Sequence, residues 1–417
     1  MRFYFPDSQD QVDPRFDMVT EEHPIHRIRQ RDDAYAHEIL KRRPFDGILV
    51  SKPIVDGYGN GAAGKYSAAS RSRLYREGVQ EFFRINRSEV KVTALGDCGA
   101  FAYAMEEEPP YSVDEVIDFY DGCGFDAGVA PDHIVFGFVR EPGLVPHDME
   151  PEWERRRALT IHNAELFLRR HGQRYCTFTP LAVAHGWCPA TYADSVDQLQ
   201  NLGYQRIALG GMVPLKTPDI LLALEAIAEV LKPETELHLL GVTRTEEIPT
   251  FAGLGVTSFD STSPFRQSFK DDRDNYFSLD TTYVALRVPQ VDGNPALKRA
   301  ITAGKINQRD ALAGERACLE ALRGYDQGVV DLDDALQALL SYEHLTTGSS
   351  VYDDSYRRTL EDAPWKLCDC GICENAGIDV MMFRGSERNK RRGFHNLAVF
   401  RARLDRTLKS AAEEGIS

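Results

Sequence analysis

The sequence lacks any apolar run approaching the roughly 18 residues needed to cross a bilayer. Its first residues, MRFYFPDSQD, lack the apolar core of a signal peptide. It also lacks a positive balance, because 64 acidic residues against 49 basic ones give a net charge of -15. This charge argues against a nucleic-acid binder whose whole surface is basic, although a local basic groove remains compatible with it. We therefore expect a soluble cytoplasmic protein that has no contact with a membrane.

Clustered cysteines are also scarce. Most of the eight cysteines are scattered through apolar segments and, without a secretory signal, are expected to be reduced. Only three of them cluster, in CDCGICENAG (368–377), and three thiolates need a fourth ligand to complete a tetrahedral zinc site. His395, directly before the apolar helical stretch NLAVF, can supply it. We predict one structural zinc ion held by Cys368, Cys370, Cys373 and His395.

Two alternatives to zinc are less favoured. Three free core cysteines would be poorly accommodated in a charged loop that contains glycine. An iron–sulfur cluster usually takes a fourth cysteine, and Cys318 is the only candidate nearby. A closed Cys3His site has no open position for substrate, so the reactive groups must lie elsewhere.

Short apolar runs alternate with amphipathic stretches over a large part of the chain. The runs begin with GILVSKPIV (47–55) and end with GVTSFDS (255–261), and intervening pieces such as TPDILLALEAIAEVLK are typical of helices. Near-continuous apolar strands separated by helices indicate parallel β/α units. Seven or eight such units predict an α/β fold, a closed (β/α)8 TIM barrel over residues 46–261.

The remaining segments do not follow this rhythm. Residues 1–45 are predicted to be an N-terminal extension. Residues 262–365 include DLDDALQALLSYEHL, whose apolar residues share one helical face, and are predicted to be a helical insertion with either a structural or a substrate-contacting role. Residues 366–417 are expected to form a zinc-binding subdomain that ends in one long helix.

Reactive side chains of a (β/α)8 barrel emerge at the C-terminal ends of its strands. Here those ends carry three carboxylates and a histidine: Asp97, Asp132, His185 and Asp260. Paired carboxylates in a pocket suit chemistry at the C1′ carbon of a sugar, where one attacks the carbon and the other transfers protons. Metal-dependent hydrolysis by an Asp/His cluster is the competing interpretation, weakened by the lack of a His-x-His motif. Each aspartate taken alone is more often a helix cap or loop residue.

A glycine-rich stretch, GNGAAGKYS (59–67), nearly matches the phosphate-binding pattern G-x-x-x-x-G-K-[ST]. Tyr66 occupies the position of the hydroxyl that would bind magnesium, so nucleotide hydrolysis is not favoured. A loop over the barrel mouth is the preferred interpretation.

Six motifs occur in order along the chain: GDCGAF, GVAPDH, AVAHGW, IALGGMV, SFDSTSP, and CDCGIC with FHNLAVF. This set resembles the tRNA-guanine transglycosylases, zinc-bearing (β/α)8 barrels that exchange a guanine in nucleic acid for a 7-deazaguanine base. The resemblance implies that Asp97 is the general acid/base, that Asp260 is the nucleophile, and that Asp132 grips the base. It further implies base-binding roles for His185, Gly210, Gly211 and Met212.

Departures from the family pattern bear on the substrate. His185 replaces a glutamine and Trp187 replaces a glycine, both in base recognition. Lys216 lies where the bacterial tRNA enzymes carry a glutamate that helps accept a base with a charged aminomethyl arm. A lysine would repel that cation, which favours a neutral substituent, as in 7-cyano-7-deazaguanine.

The opening stretches MRFYFPDSQDQVDPRFDM and FDGILVSK are similar to the DNA-acting branch of this superfamily, the DNA-guanine transglycosylases. DNA is therefore the expected partner, with tRNA as the alternative and a catalytically silent nucleic-acid-binding paralogue as the second alternative. The basic stretches RIRQRDD, KRR and RGSERNKRRGFH could bind either backbone or be solvated surface. The resemblance also makes a homodimer plausible and leaves open a need for partner proteins of a DNA-modification system, such as an ATPase.

Overall fold

A computed structural model describes residues 1–59, 64–87, 91–141, 149–349 and 351–413. Part of the glycine-rich stretch 59–67, residues 60–63, lies outside the described residues. The chain divides into two compact units. The first contains Met1–Gln9, Phe45–Thr262 and the residues from Leu404 onward, and the second contains Asp10–Pro44 and Ser263–Arg403. In the described ranges, no helix is both long and apolar enough to cross a membrane.

Eight parallel strands of the first unit close into a barrel in chain order, which confirms the predicted (β/α)8 fold. The strands are β1 (Arg2–Pro6), β2 (Gly47–Ser51), β3 (Thr93–Asp97), β4 (Ala127–Val129), β5 (Thr179–Ala184), β6 (Arg206–Leu209), β7 (Glu236–Leu239) and β8 (Val256–Asp260). Closure comes from β1, which pairs with both β2 and β8. The C-terminal ends of all eight strands therefore meet at one mouth.

The first strand corrects one prediction. β1 lies in the segment expected to be an N-terminal extension, yet it belongs to the barrel. Its residues alternate in the way a strand requires: Phe3 stacks on Phe259 at 5.3 Å between ring centroids, whereas Tyr4 contacts His238 at 5.7 Å. The prediction for residues 1–45 is therefore wrong for residues 1–9, because β1 is recognised only through its pairing with distant strands.

Helices follow the strands and continue through the second unit. In chain order they are α1 (Ala36–Ile39), α2 (Lys52–Asp56), α3 (Ala68–Phe82), α4 (Val113–Cys123), α5 (Glu150–Gln173), α6 (Pro189–Leu202), α7 (Thr217–Ala228), α8 (Ile248–Gly253), α9 (Ser263–Lys270), α10 (Pro295–Thr302), α11 (Gln308–Asp326), α12 (Leu332–Thr347), α13 (Asp353–Asp362), α14 (Ile372–Ala376) and α15 (Gly385–Glu413).

Local sequence explains where these helices begin and end. The Ser112 hydroxyl accepts the Glu115 backbone N–H and the Glu115 carboxylate accepts the Ser112 backbone N–H, a capping box that starts α4. Gly124, with φ of 70°, ends the same helix. In α7 the buried residues Ile220, Leu224 and Ile227 recur at helical spacing, so one apolar face of the helix is buried.

The second unit is mainly helical, but it also contains short strands. β9 (Tyr276–Phe277) pairs antiparallel with β10 (Thr282–Tyr283), and β11 (Leu286–Arg287) pairs with β12 (Met382–Phe383). α11 and α12 pack against each other. The final helix, α15, begins at Gly385, about two and a half turns before Phe394, the first residue of the stretch from which it was predicted.

Candidate active site and metal centre

Asp97 is the last residue of β3, at the C-terminal mouth of the barrel. Its Oδ1 accepts the Gly99 backbone N–H at 3.0 Å, and Ser51, its neighbour at the end of β2, also hydrogen-bonds to it. Burial raises the pKa of the Asp97 carboxyl to about 7, and the negative charges of Asp132 and Asp260 add to this rise. Asp97 can therefore carry a proton near neutral pH, as a general acid must.

Asp260 ends β8 and is held through one of its two carboxylate oxygens. Oδ1 accepts the Gly241 backbone N–H at 2.9 Å and lies 3.2 Å from Nε2 of His238. Within the described residues, Oδ2 has no hydrogen-bond partner. The carboxylate thus presents one unengaged oxygen, which is the form a nucleophile at a sugar carbon requires.

Asp132 follows β4 and has both carboxylate oxygens engaged inside the protein. Oδ2 lies 2.6 Å from Nε2 of His185, and Oδ1 accepts the Cys98 thiol at 2.8 Å. Burial, together with the charges of Asp132 and Asp97, raises the pKa of the Cys98 thiol well above its usual range, so the thiol is a proton donor to Asp132. Each of these oxygens keeps a second lone pair, so Asp132 can still accept a hydrogen bond from a base.

His185 follows β5 and its ring lies against Gly210, at the end of β6. A Cβ atom at position 210 would lie 2.2 Å from Cε1 of His185, so only glycine fits there. The Gly210 N–H bonds the Ala184 carbonyl at 3.1 Å, and its carbonyl accepts the Tyr192 hydroxyl at 2.9 Å. Among the described residues, Nδ1 of His185 is buried and has no hydrogen-bond partner. Gly210 therefore shapes the site mainly through its missing side chain.

The next two residues complete this edge of the mouth. Gly211 has φ of 73°, a conformation that favours glycine, and Met212 is fully buried. A Cβ atom at Gly211 would lie 3.5 Å from Nδ1 of His185. In the part of the chain that the structure describes, the Gly211 N–H has no partner. Gly211 thus offers an unpaired main-chain donor beside His185.

Three residues of this site were missed from the sequence: Ser51, Cys98 and His238. Cys98 directly follows Asp97 but was grouped with the scattered apolar cysteines. His238 interrupts the apolar run ELHLLGV, and a polar residue inside a barrel strand is the signal that could have identified it.

The three cysteines and His395 meet in the second unit. Nδ1 of His395 lies 3.5, 3.6 and 3.2 Å from the sulfur atoms of Cys368, Cys370 and Cys373, and all four ligand atoms lie within 4.8 Å of one another. Usual zinc bond lengths in a tetrahedron would place sulfur and nitrogen ligands about 3.6 Å apart. The cluster can therefore hold a metal ion and is compatible with zinc.

Neighbouring groups fix the ring of His395. Its Nε2 lies 2.7 Å from the Phe277 carbonyl, so Nε2 carries the proton and Nδ1 is left for a metal. The Tyr276 ring stacks on the imidazole at 4.0 Å, and its hydroxyl lies 3.3 Å from Sγ of Cys373. These contacts hold the ligand geometry from outside the cluster.

The basic stretch 384–395 was expected either to be able to bind a nucleic-acid backbone or to be solvated surface, and neither expectation fits its arginines, which are buried: Arg384, Arg388, Arg391 and Arg392. Arg384 and Arg388 pair with Glu21 and Glu315, which are distant in sequence, and with the nearby Asp379. The charges of these two arginines are therefore balanced inside the protein and are not available to a phosphate.

Arg392 is also unavailable to nucleic acid. It is fully buried and donates to the main-chain carbonyls of Ser268, Val380 and Met382 at 2.6–3.2 Å. Burial lowers the pKa of its guanidinium to about 9. Its role is to satisfy carbonyl groups in the core of the second unit.

No family model matches the chain. A curated protein of Salmonella montevideo, named DNA-guanine transglycosylase, is 46% identical to it over 418 residues, which cover 99% of this chain and 99% of that protein. The similarity therefore extends over both units and is not confined to the cysteine-rich loop.

Proposed function

The chain belongs to the DNA-guanine transglycosylases, and from this membership we propose that it exchanges guanine in DNA for a 7-deazaguanine base through a covalent intermediate on Asp260. As a guanine transglycosylase it is a pentosyltransferase. The observation that carries the proposed mechanism is the unequal state of two carboxylates at one mouth. Asp97 has a pKa raised to about 7, whereas Asp260 is held through one oxygen and has the other free.

In the first half of the reaction the target guanosine leaves the helical stack to reach the mouth. A lone pair on Oδ2 of Asp260 forms a bond to C1′ of the deoxyribose, and the electrons of the C1′–N9 bond leave with guanine. Asp97 delivers its proton to the departing base, which therefore leaves as a neutral molecule. The product is a glycosyl ester on Asp260.

In the second half the 7-deazaguanine occupies the vacated pocket. The carboxylate of Asp97 takes the N9 proton, N9 forms a bond to C1′, and the electrons of the ester bond return to Asp260. Two inversions at C1′ give net retention of configuration. The edge of the base would be read by Asp132, His185 and the free N–H of Gly211, because these groups converge next to the catalytic carboxylates.

DNA is supported as the polymer by the likeness to a protein named for DNA over the whole chain. The test is to incubate the protein with labelled guanine and either duplex DNA or tRNA. We expect incorporation into DNA, no incorporation with Asp260→Asn, and no trapped covalent adduct with that variant. Incorporation into tRNA alone would establish the alternative polymer, and full activity of Asp260→Asn would refute the nucleophile.

A neutral 7-substituent is supported by Lys216. This residue lies between β6 and α7, is exposed, and forms no ion pair among the described residues. Its charge is therefore available to repel an aminomethyl cation. Competition between 7-cyano-7-deazaguanine and the aminomethyl base should favour the former, and preference for the aminomethyl base would contradict the assignment.

We further propose that Cys368, Cys370, Cys373 and His395 hold one zinc ion. A closed set of four protein ligands supplies folding free energy and leaves no coordination position for substrate. In this role the ion would join the cysteine loop to α15. Metal analysis of the purified protein should find one zinc per chain.

A further inference from the structure

A buried histidine lies directly beneath the proposed nucleophile. His238 belongs to β7, and its side chain is 2% exposed. Its Nε2 lies 3.2 Å from Oδ1 of Asp260, and its Nδ1 lies 2.9 Å from Oγ of Ser258. The edge of the Tyr4 ring packs against it, with ring centroids 5.7 Å apart. The imidazole is therefore enclosed by the three strands β1, β7 and β8.

An irregularity in strand pairing creates this arrangement. The register between β7 and β8 shifts between Leu237 and His238, so that Leu237 pairs with Val256 but His238 pairs with Ser258. Ser258 and Asp260 point to the same face of β8 because side chains alternate along a strand. The shift therefore places the ring of His238 between these two side chains, as bulges next to active sites often do.

The hydrogen-bond partners of the His238 ring determine which of its nitrogens carries the proton. A carboxylate can only accept a hydrogen bond, so Nε2 must carry a proton to bond Oδ1 of Asp260. A neutral imidazole then has an acceptor at Nδ1, and the Ser258 hydroxyl can donate to it. Ser258 thus favours the tautomer that donates to Asp260.

We propose that His238 is a positioning residue for Asp260, and that Ser258 fixes its tautomer. With the Gly241 N–H, His238 holds Oδ1 and aims Oδ2 at the sugar. This inference rests on the proposed function, because it takes Asp260 as the nucleophile. It assigns to the proposed exchange reaction a buried residue that acts through the carboxylate of Asp260.

The two donors also act differently on the two half-reactions. When Oδ2 attacks C1′, Oδ1 becomes the carbonyl oxygen of the ester and accepts hydrogen bonds less strongly. When the incoming base displaces the ester, the negative charge returns to the carboxylate, and the donors stabilise it as a leaving group. Loss of the His238 donor should therefore slow release from the covalent adduct more than adduct formation.

The experiment compares three substitutions at one position. His238→Gln can place an amide N–H near the position of Nε2, His238→Asn has a side chain too short to reach, and His238→Phe keeps the ring without a donor. For each we measure kcat, KM for the base, the fraction of enzyme trapped as adduct on denaturing gels, and the thermal midpoint. We expect His238→Phe and His238→Asn to lower kcat on the order of 10- to 100-fold. Because His238 is buried and is proposed to act through Asp260, the KM for the base should change by less than about threefold.

Activity retained by the Gln variant distinguishes a positioning role of His238 from a role in packing alone. His238→Gln should retain more kcat than His238→Asn, and the trapped fraction should be larger in His238→Asn than in the wild type. Equal losses in the Gln and Asn variants, or wild-type kcat in His238→Asn, would overturn the inference. The Gln and Asn pair decides the matter even if His238→Phe does not fold.

The Asp260→Asn variant distinguishes a failure of the proposed function from a failure of the positioning role of His238. If this variant exchanges bases normally, the proposed nucleophile is wrong. If it is inactive while His238→Asn matches the wild type, the proposed function stands and the positioning role alone is refuted.

Discussion

Replacement of Asp97 by asparagine should stabilise the protein at alkaline pH while abolishing exchange. The folded-state pKa of Asp97 is about 7, against a usual value of 3.8. A carboxyl whose pKa is raised by folding contributes stability that is complete below pH 3.8 and is lost as the pH rises through about 7. Above that pH the folded wild type must hold a buried charge that Asp97→Asn does not have.

The change in the free energy of unfolding follows from the shift in the pKa of Asp97. Two pH units between pH 5 and the folded-state pKa, at about 1.4 kcal/mol each, set an upper limit of about 3 kcal/mol on the loss of wild-type stability between pH 5 and pH 8. Asp97 is half-buried, so solvent screens part of its charge and reduces the loss of stability below this limit. We expect Asp97→Asn to gain about 1–2 kcal/mol relative to the wild type over this range.

Urea denaturation at pH 5 and pH 8 measures this difference. Trp153 and Trp187 lie in the barrel unit, with rings 6.4 Å apart, and Trp365 is buried in the second unit, so tryptophan fluorescence reports the unfolding of both units. Asp121→Asn, at an exposed position of α4, is the matched control and should show no such gain. A stability difference between Asp97→Asn and the wild type that is independent of pH, or that has the opposite sign, would refute the argument that Asp97 is protonated near neutral pH.

Four further predictions concern Asp97, the cysteine cluster, Lys216 and Arg392. Adduct formation in single turnovers should fall about tenfold per pH unit above about pH 7, because the acid form of Asp97 is lost; a flat profile from pH 7 to 9 would contradict this. Cys373→Ser should reduce the amount of zinc bound per chain, as measured by mass spectrometry, and should destabilise the second unit by several kcal/mol. Asp260→Asn should leave the amount of bound zinc unchanged. Lys216→Glu should shift the base preference toward the aminomethyl base by roughly tenfold in competition assays, and an unchanged ratio would exclude Lys216 from selectivity. Arg392→Met should cost about 3–5 kcal/mol in thermal unfolding, because three carbonyls lose their donor, and a neutral result would show that solvent replaces it.

Much of the barrel can be predicted from the sequence because its signals are local. Seven strands are apolar runs flanked by helices, and the reactive residues stand at their ends. β1 lacks these features: it is short, ends at Pro6, and is not followed directly by a helix in the first unit. Its place in the barrel depends on pairing with β2 and β8, and β8 lies some 250 residues away.

The arginine-rich stretch shows that the burial of charged residues is also difficult to predict from local sequence. A run of cations in the sequence resembles a solvated or phosphate-binding surface. Its burial depends on Glu21 and Glu315, which are distant from it along the chain and become its neighbours only in the folded unit. The Cys/His cluster that could hold a metal ion could be predicted because three of its four residues lie within six positions of the sequence and the fourth precedes an apolar stretch.

The assignment of roles at the mouth follows from donors that neighbouring strands contribute. Asp260 has two N–H donors on one oxygen, and Asp132 has the imidazole of His185 and the Cys98 thiol. Burial, together with the negative charges of Asp132 and Asp260, raises the pKa of Asp97 to about 7. Asp97 can therefore carry the proton that the proposed release of guanine requires. Position at a strand end makes the aspartates equivalent in the sequence; it is the hydrogen-bonding groups around them that distinguish an acid from a nucleophile.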